Sequence, residues 1–123
     1  MSDAQCDGLR AMIESDNLKR STVSTSNGHD VVHLTQRTSK GGWLIPKDEH
    51  TQRLYTFVQQ KVATFCGIPA SHQEGIHILH YQSSQQYHEH FDWFPKHNHV
   101  ELDKAGQRLA TFIIYLNDVE SGG

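Results

Sequence analysis

The feature that most limits what this chain can become is a change of hydrophobic period near residue 74. Before it, Leu54, Val58, Val62 and Phe65 recur at helical spacing, and Gly67 and Pro69 then supply a left-handed cap and a stop. The spacing predicts a helix over 48–65. After it, apolar and polar residues alternate, so 75–81 and 87–92 read as strands linked through Gln82-Ser83-Ser84-Gln85-Gln86. A third strand is expected over 107–116. It is apolar on both faces through Leu109, Ala110, Phe112, Ile113, Ile114 and Leu116, as suits a strand covered on both sides. Helices and strands in separate runs of the chain make an α+β fold the expectation.

The flanking segments are read the same way. Ser2 and Gln5 form a capping box ahead of Cys6, Leu9, Met12 and Ile13, which predicts a short first helix to about Ser15. Around Asn27-Gly28, residues 21–24 and 30–34 are expected to pair as two short strands. Residues 37–42 and 93–106 read as polar loops, the second containing Pro95. Arg37 reads as a surface or ion-pairing residue, and Trp43 as an anchor that buries its ring between loop and helix.

Size and charge remove several classes of function. At 123 residues the chain is one domain with one expected site. Its 11 Lys and Arg against 14 acids leave no basic footprint for nucleic acid and no polybasic membrane patch. Its longest apolar run, 112–116, is too short to span a bilayer, and residues 1–7 lack the regions of a signal peptide, so a cytoplasmic protein is expected. Cys6 and Cys66, far apart and without C-x-x-C spacing, are expected to be buried free thiols. The hydrophobic share of 36% predicts a thin core.

Histidine is the anomaly. Ten are present, and seven of them (72, 77, 80, 88, 90, 97 and 99) crowd into one stretch where imidazole can serve metal ligation or proton transfer. On a strand over 87–92, His88, His90 and Asp92 share a face. An imidazole and a carboxylate two residues apart can grip one cation, and with a second imidazole from elsewhere they make the facial triad of non-haem Fe(II) oxygenases. His88 reads as exposed, since three consecutive same-face positions cannot easily wrap one ion. His97-Asn98-His99 reads as decoration of a solvated loop.

The wider context is more specific than H-x-D. Arg37-Thr38-Ser39 with Trp43-Leu44, a helix, Tyr81 and Tyr87 before His90-Phe91-Asp92, then Gln107-Arg108-Leu109-Ala110-Thr111, Tyr115-Leu116-Asn117-Asp118-Val119 and Gly122-Gly123 together resemble the catalytic domain of the prolyl 4-hydroxylase family. The resemblance implies a partial double-stranded β-helix of jelly-roll or cupin-like form, with N-terminal helices packed on the sheet. It implies Fe(II), 2-oxoglutarate as co-substrate and ascorbate, and a proline-containing protein or peptide as substrate. His90 and Asp92 take the positions of the first two iron ligands. Tyr81 takes that of the tyrosine beside the 2-oxoglutarate pocket, Tyr115 that of the strand tyrosine facing its distal carboxylate, and Tyr87 that of a tyrosine near the metal. Thr111, on the face of Tyr115, is expected to line the same pocket. Residues 93–105 and 37–42 would be the substrate-covering loops.

One departure accompanies these matches. No histidine follows His99, so the family's distal histidine ligand and its 2-oxoglutarate-pairing Lys or Arg would lie past residue 123. The resemblance therefore implies the N-terminal part of a catalytic domain, inactive alone. Two other functions fit parts of the pattern. A zinc-dependent hydrolase is suggested by His88-Glu89-His90-Phe91-Asp92, which resembles the H-x-H-x-D opening of the metallo-β-lactamase signature, although Trp93 stands where that signature requires another histidine. A non-catalytic metal-binding module would keep the ligands without turnover.

Overall fold

The structure is a computed structural model that describes residues 1–13, 18–24, 30–32 and 35–120. It mixes helices with antiparallel strand pairs, an α+β composition. Described residues within 1–17, 43–77 and 112–123 form one unit, and those within 18–42 and 78–111 form a second.

In the first unit, helix α1 (Asp3–Ala11) opens on the expected capping box, with the Ser2 hydroxyl accepting from Gln5 N–H and the Gln5 side chain accepting from Ser2 N–H. Residues 14–17, where the helix was expected to end, lie outside the described residues. Helix α2 (Glu49–Cys66) begins one residue later than its spacing predicts, because Asp48 is the cap: its carboxylate accepts from Thr51 N–H at 2.8 Å. It ends at Gly67, whose φ of 71° is left-handed backbone that glycine adopts without a Cβ clash. The helices pack against each other at Gly8, where an added Cβ would lie 2.6 Å from Leu54 Cδ1. Leu9, Leu44 and Val58 are the buried apolar side chains here, in keeping with a thin core. The two cysteines are free, as expected, but half-buried rather than buried. Trp43 is also corrected: its ring is more exposed than not and meets His77 edge-on at 4.7 Å.

The remaining elements are short. Strands β1 (Lys19–Arg20), β4 (Lys40–Trp43) and β5 (His77–His80) form a sheet in the order β1-β4-β5, with Lys19 opposite Gly41 and Arg20 opposite Lys40. Strands β2 (Val23–Ser24) and β3 (Asp30–Val31) pair antiparallel with Val23 opposite Val31, as the Asn27-Gly28 pattern predicts, although residues 25–29 and 33–34 lie outside the described residues. In the second unit, Ser39 and Ser21 are buried polar groups that satisfy each other, hydroxyl to hydroxyl at 3.0 Å and Ser21 N–H to Ser39 carbonyl at 3.0 Å. Among the described residues of this unit, Phe94 is the buried apolar side chain.

Four expected elements differ. Residues 37–42 are not all loop, because Lys40–Trp43 pairs with Lys19–Arg20 as strand β4. Residues 93–106 are not all loop: Asn98, 2% exposed, caps a helix α3 (His99–Ala105) by accepting from Glu101 N–H, and Gly106 closes it. The Asn98…Glu101 spacing is itself a helix-start signal. Residues 87–92 form no continuous strand, because pairing extends only to a single antiparallel bridge between Tyr87 and Arg37 before the chain bends at Glu89. Residues 107–116 are not a strand either. No described strand pairs with them, and Leu109 and Ile113 are 83% and 73% exposed rather than covered. A strand exists only through its neighbour's hydrogen bonds, however apolar its own side chains are.

Candidate functional site

In the second unit, a seam between residues 36–38 and 86–88 leads directly to the residues that carry chemistry. Thr38 N–H donates to the Gln86 carbonyl at 3.0 Å, Gln86 N–H to the Thr38 hydroxyl at 2.9 Å, and His88 N–H to the Gln36 carbonyl at 2.9 Å. Just beyond the seam, His90 Nδ1 turns back to the His88 carbonyl at 2.8 Å. A carbonyl oxygen only accepts, so Nδ1 carries a proton and Nε2 is the ring nitrogen that faces outward.

Nε2 faces Asp92. His90 Nε2 and Asp92 Oδ1 are 3.2 Å apart, and both side chains are partly exposed. Two acceptors this close are stabilised by positive charge between them, either a proton or a metal ion. Two ligand atoms each about 2.1 Å from one cation and at a right angle lie about 3 Å apart, so the separation suits adjacent ligands of one ion. The other carboxylate oxygen is also engaged: Thr111 Oγ1 donates to Asp92 Oδ2 at 2.5 Å. Sequence spacing brought His90 and Asp92 together as a same-face strand pair. The structure reaches the same meeting through a bend and a side-chain bond to the backbone.

The Thr111 contact depends on how residues 107–111 are held. The Gln107 side chain acts like a strand neighbour for Phe94, with Oε1 accepting from Phe94 N–H at 2.7 Å and Nε2 donating to its carbonyl at 2.8 Å. Arg108 lies over the Phe94 ring at 4.4 Å and donates to the Asp92 carbonyl at 3.2 Å. Beside these contacts lies an open hollow of about 290 Å³ lined by Asp92, Trp93, Arg108, Leu109, Ala110 and Thr111.

Of the residues singled out by the sequence, His90, Asp92, Thr111 and Tyr87 join one chain of contacts. Tyr87 stacks on His90, with ring centroids 3.6 Å apart and planes at 20°. Tyr81 follows β5 and stands outside this chain of contacts, 42% exposed. Tyr115 belongs to the other unit and is 62% exposed. His88 bonds the Gln86 side chain instead of joining the pair. Among the described residues, no three His, Cys, Asp or Glu side chains gather as a metal site. Gln107, Arg108 and Arg37 stand within the family's pattern in the sequence, but their part in the site shows only in contacts across long stretches of chain.

Comparison with known proteins gives consistent matches. Probable prolyl 4-hydroxylase 7 of Arabidopsis thaliana is 32% identical over 123 residues, covering all of this chain and 37% of that protein. Probable prolyl 4-hydroxylase 3 of the same plant is 31% identical over the same length, covering 41% of that protein. Probable prolyl 4-hydroxylase 9 reaches 38% over 109 residues, which are 87% of this chain and 36% of that protein. The chain spans about two-fifths of the length of the curated relatives it matches. No family model matches it. Among the described residues, no helix is long and apolar enough to cross a membrane.

Proposed function

Because the chain belongs to the prolyl 4-hydroxylase family, we propose that it carries the first part of the site of an Fe(II)- and 2-oxoglutarate-dependent dioxygenase acting on a prolyl residue of a protein or peptide. In this reading its strands belong to a double-stranded β-helix and ascorbate keeps the iron reduced. His90 Nε2 and Asp92 Oδ1 are two iron ligands. Tyr81, Tyr87, Thr111 and Tyr115 serve the 2-oxoglutarate side.

The observation that carries this reading is the 3.2 Å approach of His90 Nε2 to Asp92 Oδ1, with each group's other polar atom already occupied. A mixed imidazole and carboxylate donor set suits Fe(II) and leaves positions for a co-substrate. When bound, the iron supplies the redox chemistry that couples loss of CO2 from 2-oxoglutarate to hydroxylation of a C–H bond. The chain's own work is to hold and orient. The His88 carbonyl fixes the tautomer that leaves Nε2 unprotonated, and the Thr111 hydroxyl keeps one carboxylate oxygen turned away so that the other faces the histidine. On the family's pattern, the Tyr81 and Tyr115 hydroxyls supply hydrogen-bond donors for the co-substrate.

Calorimetric titration of the chain with Fe(II) under anaerobic conditions tests the ligand pair. Weak binding is expected, since two protein ligands leave most of the coordination sphere to water. It should disappear in both His90→Ala and Asp92→Ala. Binding that survives either substitution unchanged would remove the pair from the metal site. Succinate release from 2-oxoglutarate with a proline-containing peptide reads the activity itself, and hydrolysis with Zn(II) in its place would point to another chemistry.

A further inference from the structure

We infer that Arg37 and Tyr87 form a positioning stack that holds the plane of the His90 ring, an inference that rests on the reading of His90 as a metal ligand. Arg37 was expected at the surface or in an ion pair. It is half-buried, its Nη1 donates to the Thr22 carbonyl at 2.9 Å, and its guanidinium carbon lies 4.5 Å from the centre of the Tyr87 ring. Its Nε is buried and has no hydrogen-bond partner among the described residues. A guanidinium that leaves a donor unmatched and lies against an aromatic ring is held there by that ring. The Arg37–Tyr87 backbone bridge keeps the two side chains side by side.

Tyr87 transmits this anchorage to His90. The rings are nearly parallel at 3.6 Å, so His90 cannot rotate about its outer side-chain bond without losing the stack. Its Nδ1 bond to the His88 carbonyl fixes the same ring from the edge. Face and edge together leave Nε2 one direction, toward Asp92. A histidine free to sample rotamers would lose that freedom when it binds a metal, whereas this one has lost it already. The ring of Tyr87, rather than its hydroxyl, is what the stack uses. That separates this role from hydrogen bonding to a co-substrate.

The test uses the whole chain, with Co(II) as the probe and the His90 ring protons as a reporter that needs no metal. Tyr87→Leu should shift the His90 ring resonances downfield by removing the tyrosine ring current. It should also weaken Co(II) binding by about three- to tenfold, the range expected for freeing one side chain. Tyr87→Phe should keep both the resonance position and the affinity. Arg37→Lys, which retains charge but not the planar face, should fall between them. Unchanged affinity in Tyr87→Leu, or equal loss in Tyr87→Phe, overturns the inference while leaving His90 a ligand. Co(II) binding insensitive to His90→Ala overturns the metal reading itself, and the positioning role falls with it.

Discussion

Helix α2 and the stretch from Tyr87 to Asp92 meet the same demand, that backbone and side-chain polar groups find partners, by opposite means. Helix α2 is self-contained: its interior bonds run along the helix, Asp48 caps one end from the adjacent residue, and Gly67 closes the other. The Tyr87–Asp92 stretch borrows. Its partners are the backbone at 36–38, the guanidinium of Arg37, the hydroxyl of Thr111 and the guanidinium of Arg108. An element assembled from distant contributions can be shaped to a task, but each of its contacts is a separate point of failure.

The contrast is broken first where the helices depend on something beyond themselves, their packing. Leu9 in α1 is 3% exposed, and its truncation to alanine should cost about 2–4 kcal/mol, the range for deleting a buried leucine. Thermal unfolding followed by far-ultraviolet circular dichroism measures this. A loss below about 1 kcal/mol would mean that local caps and propensity, not burial, hold the helical unit.

Closing signals come next. Gly67→Ala places a Cβ in left-handed backbone with nothing nearby to clash, so the cost is conformational alone, about 1 kcal/mol. Denaturant unfolding would read it. Thr111→Val sharpens the other side of the contrast. It removes one exposed hydrogen bond to Asp92, so folding stability should change by less than about 0.5 kcal/mol. Metal affinity should nevertheless fall severalfold, as it does when a group orienting a ligand is lost, and Thr111→Ser should restore it. A stability loss as large as that of Leu9→Ala would show Thr111 to be a structural residue.

The same contrast explains what the amino-acid order made legible. The Ser2…Gln5 box, the 54-58-62-65 stripe and the Gly67 stop are interactions between residues a few positions apart, and both helices appear where those residues predict. Residues 107–116 have an equally strong apolar pattern, yet a strand there requires a partner that the described residues do not provide. At the site, the nearness of His90 and Asp92 was legible because two residues separate them, although a bend rather than a strand delivers it. Arg37 was not legible. It reaches His90 only through a bridge to Tyr87, fifty residues further along the chain, and nothing in its own neighbours announces that. The roles given to Tyr81 and Tyr115 rest on family resemblance.

The smallest effect expected is the pH response of the α2 cap. The Thr51 N–H, and after it the Thr51 hydroxyl, bond the Asp48 carboxylate and hold its pKa below the ordinary 3.8. The folded chain therefore takes up this proton less readily than the unfolded chain, so stability rises with pH wherever the unfolded form alone is protonated. The contribution is complete above about 3.8 and is lost as the pH falls through the lower folded value. Other carboxylates titrate in the same range, so the informative quantity is a difference between variants. Asp48→Asn keeps an acceptor for Thr51 N–H without a titrating group, and asparagine caps helices about as well as aspartate. Melting temperatures of the two proteins should lie close together near pH 6 and converge further, or cross, below the carboxylate range as the native cap protonates. Because Asp48 is exposed, solvent screening keeps the difference small. A gap that widens in favour of aspartate on acidification would have the wrong sign for a lowered pKa, and would mean that the carboxylate is not the group satisfying the first turn of α2.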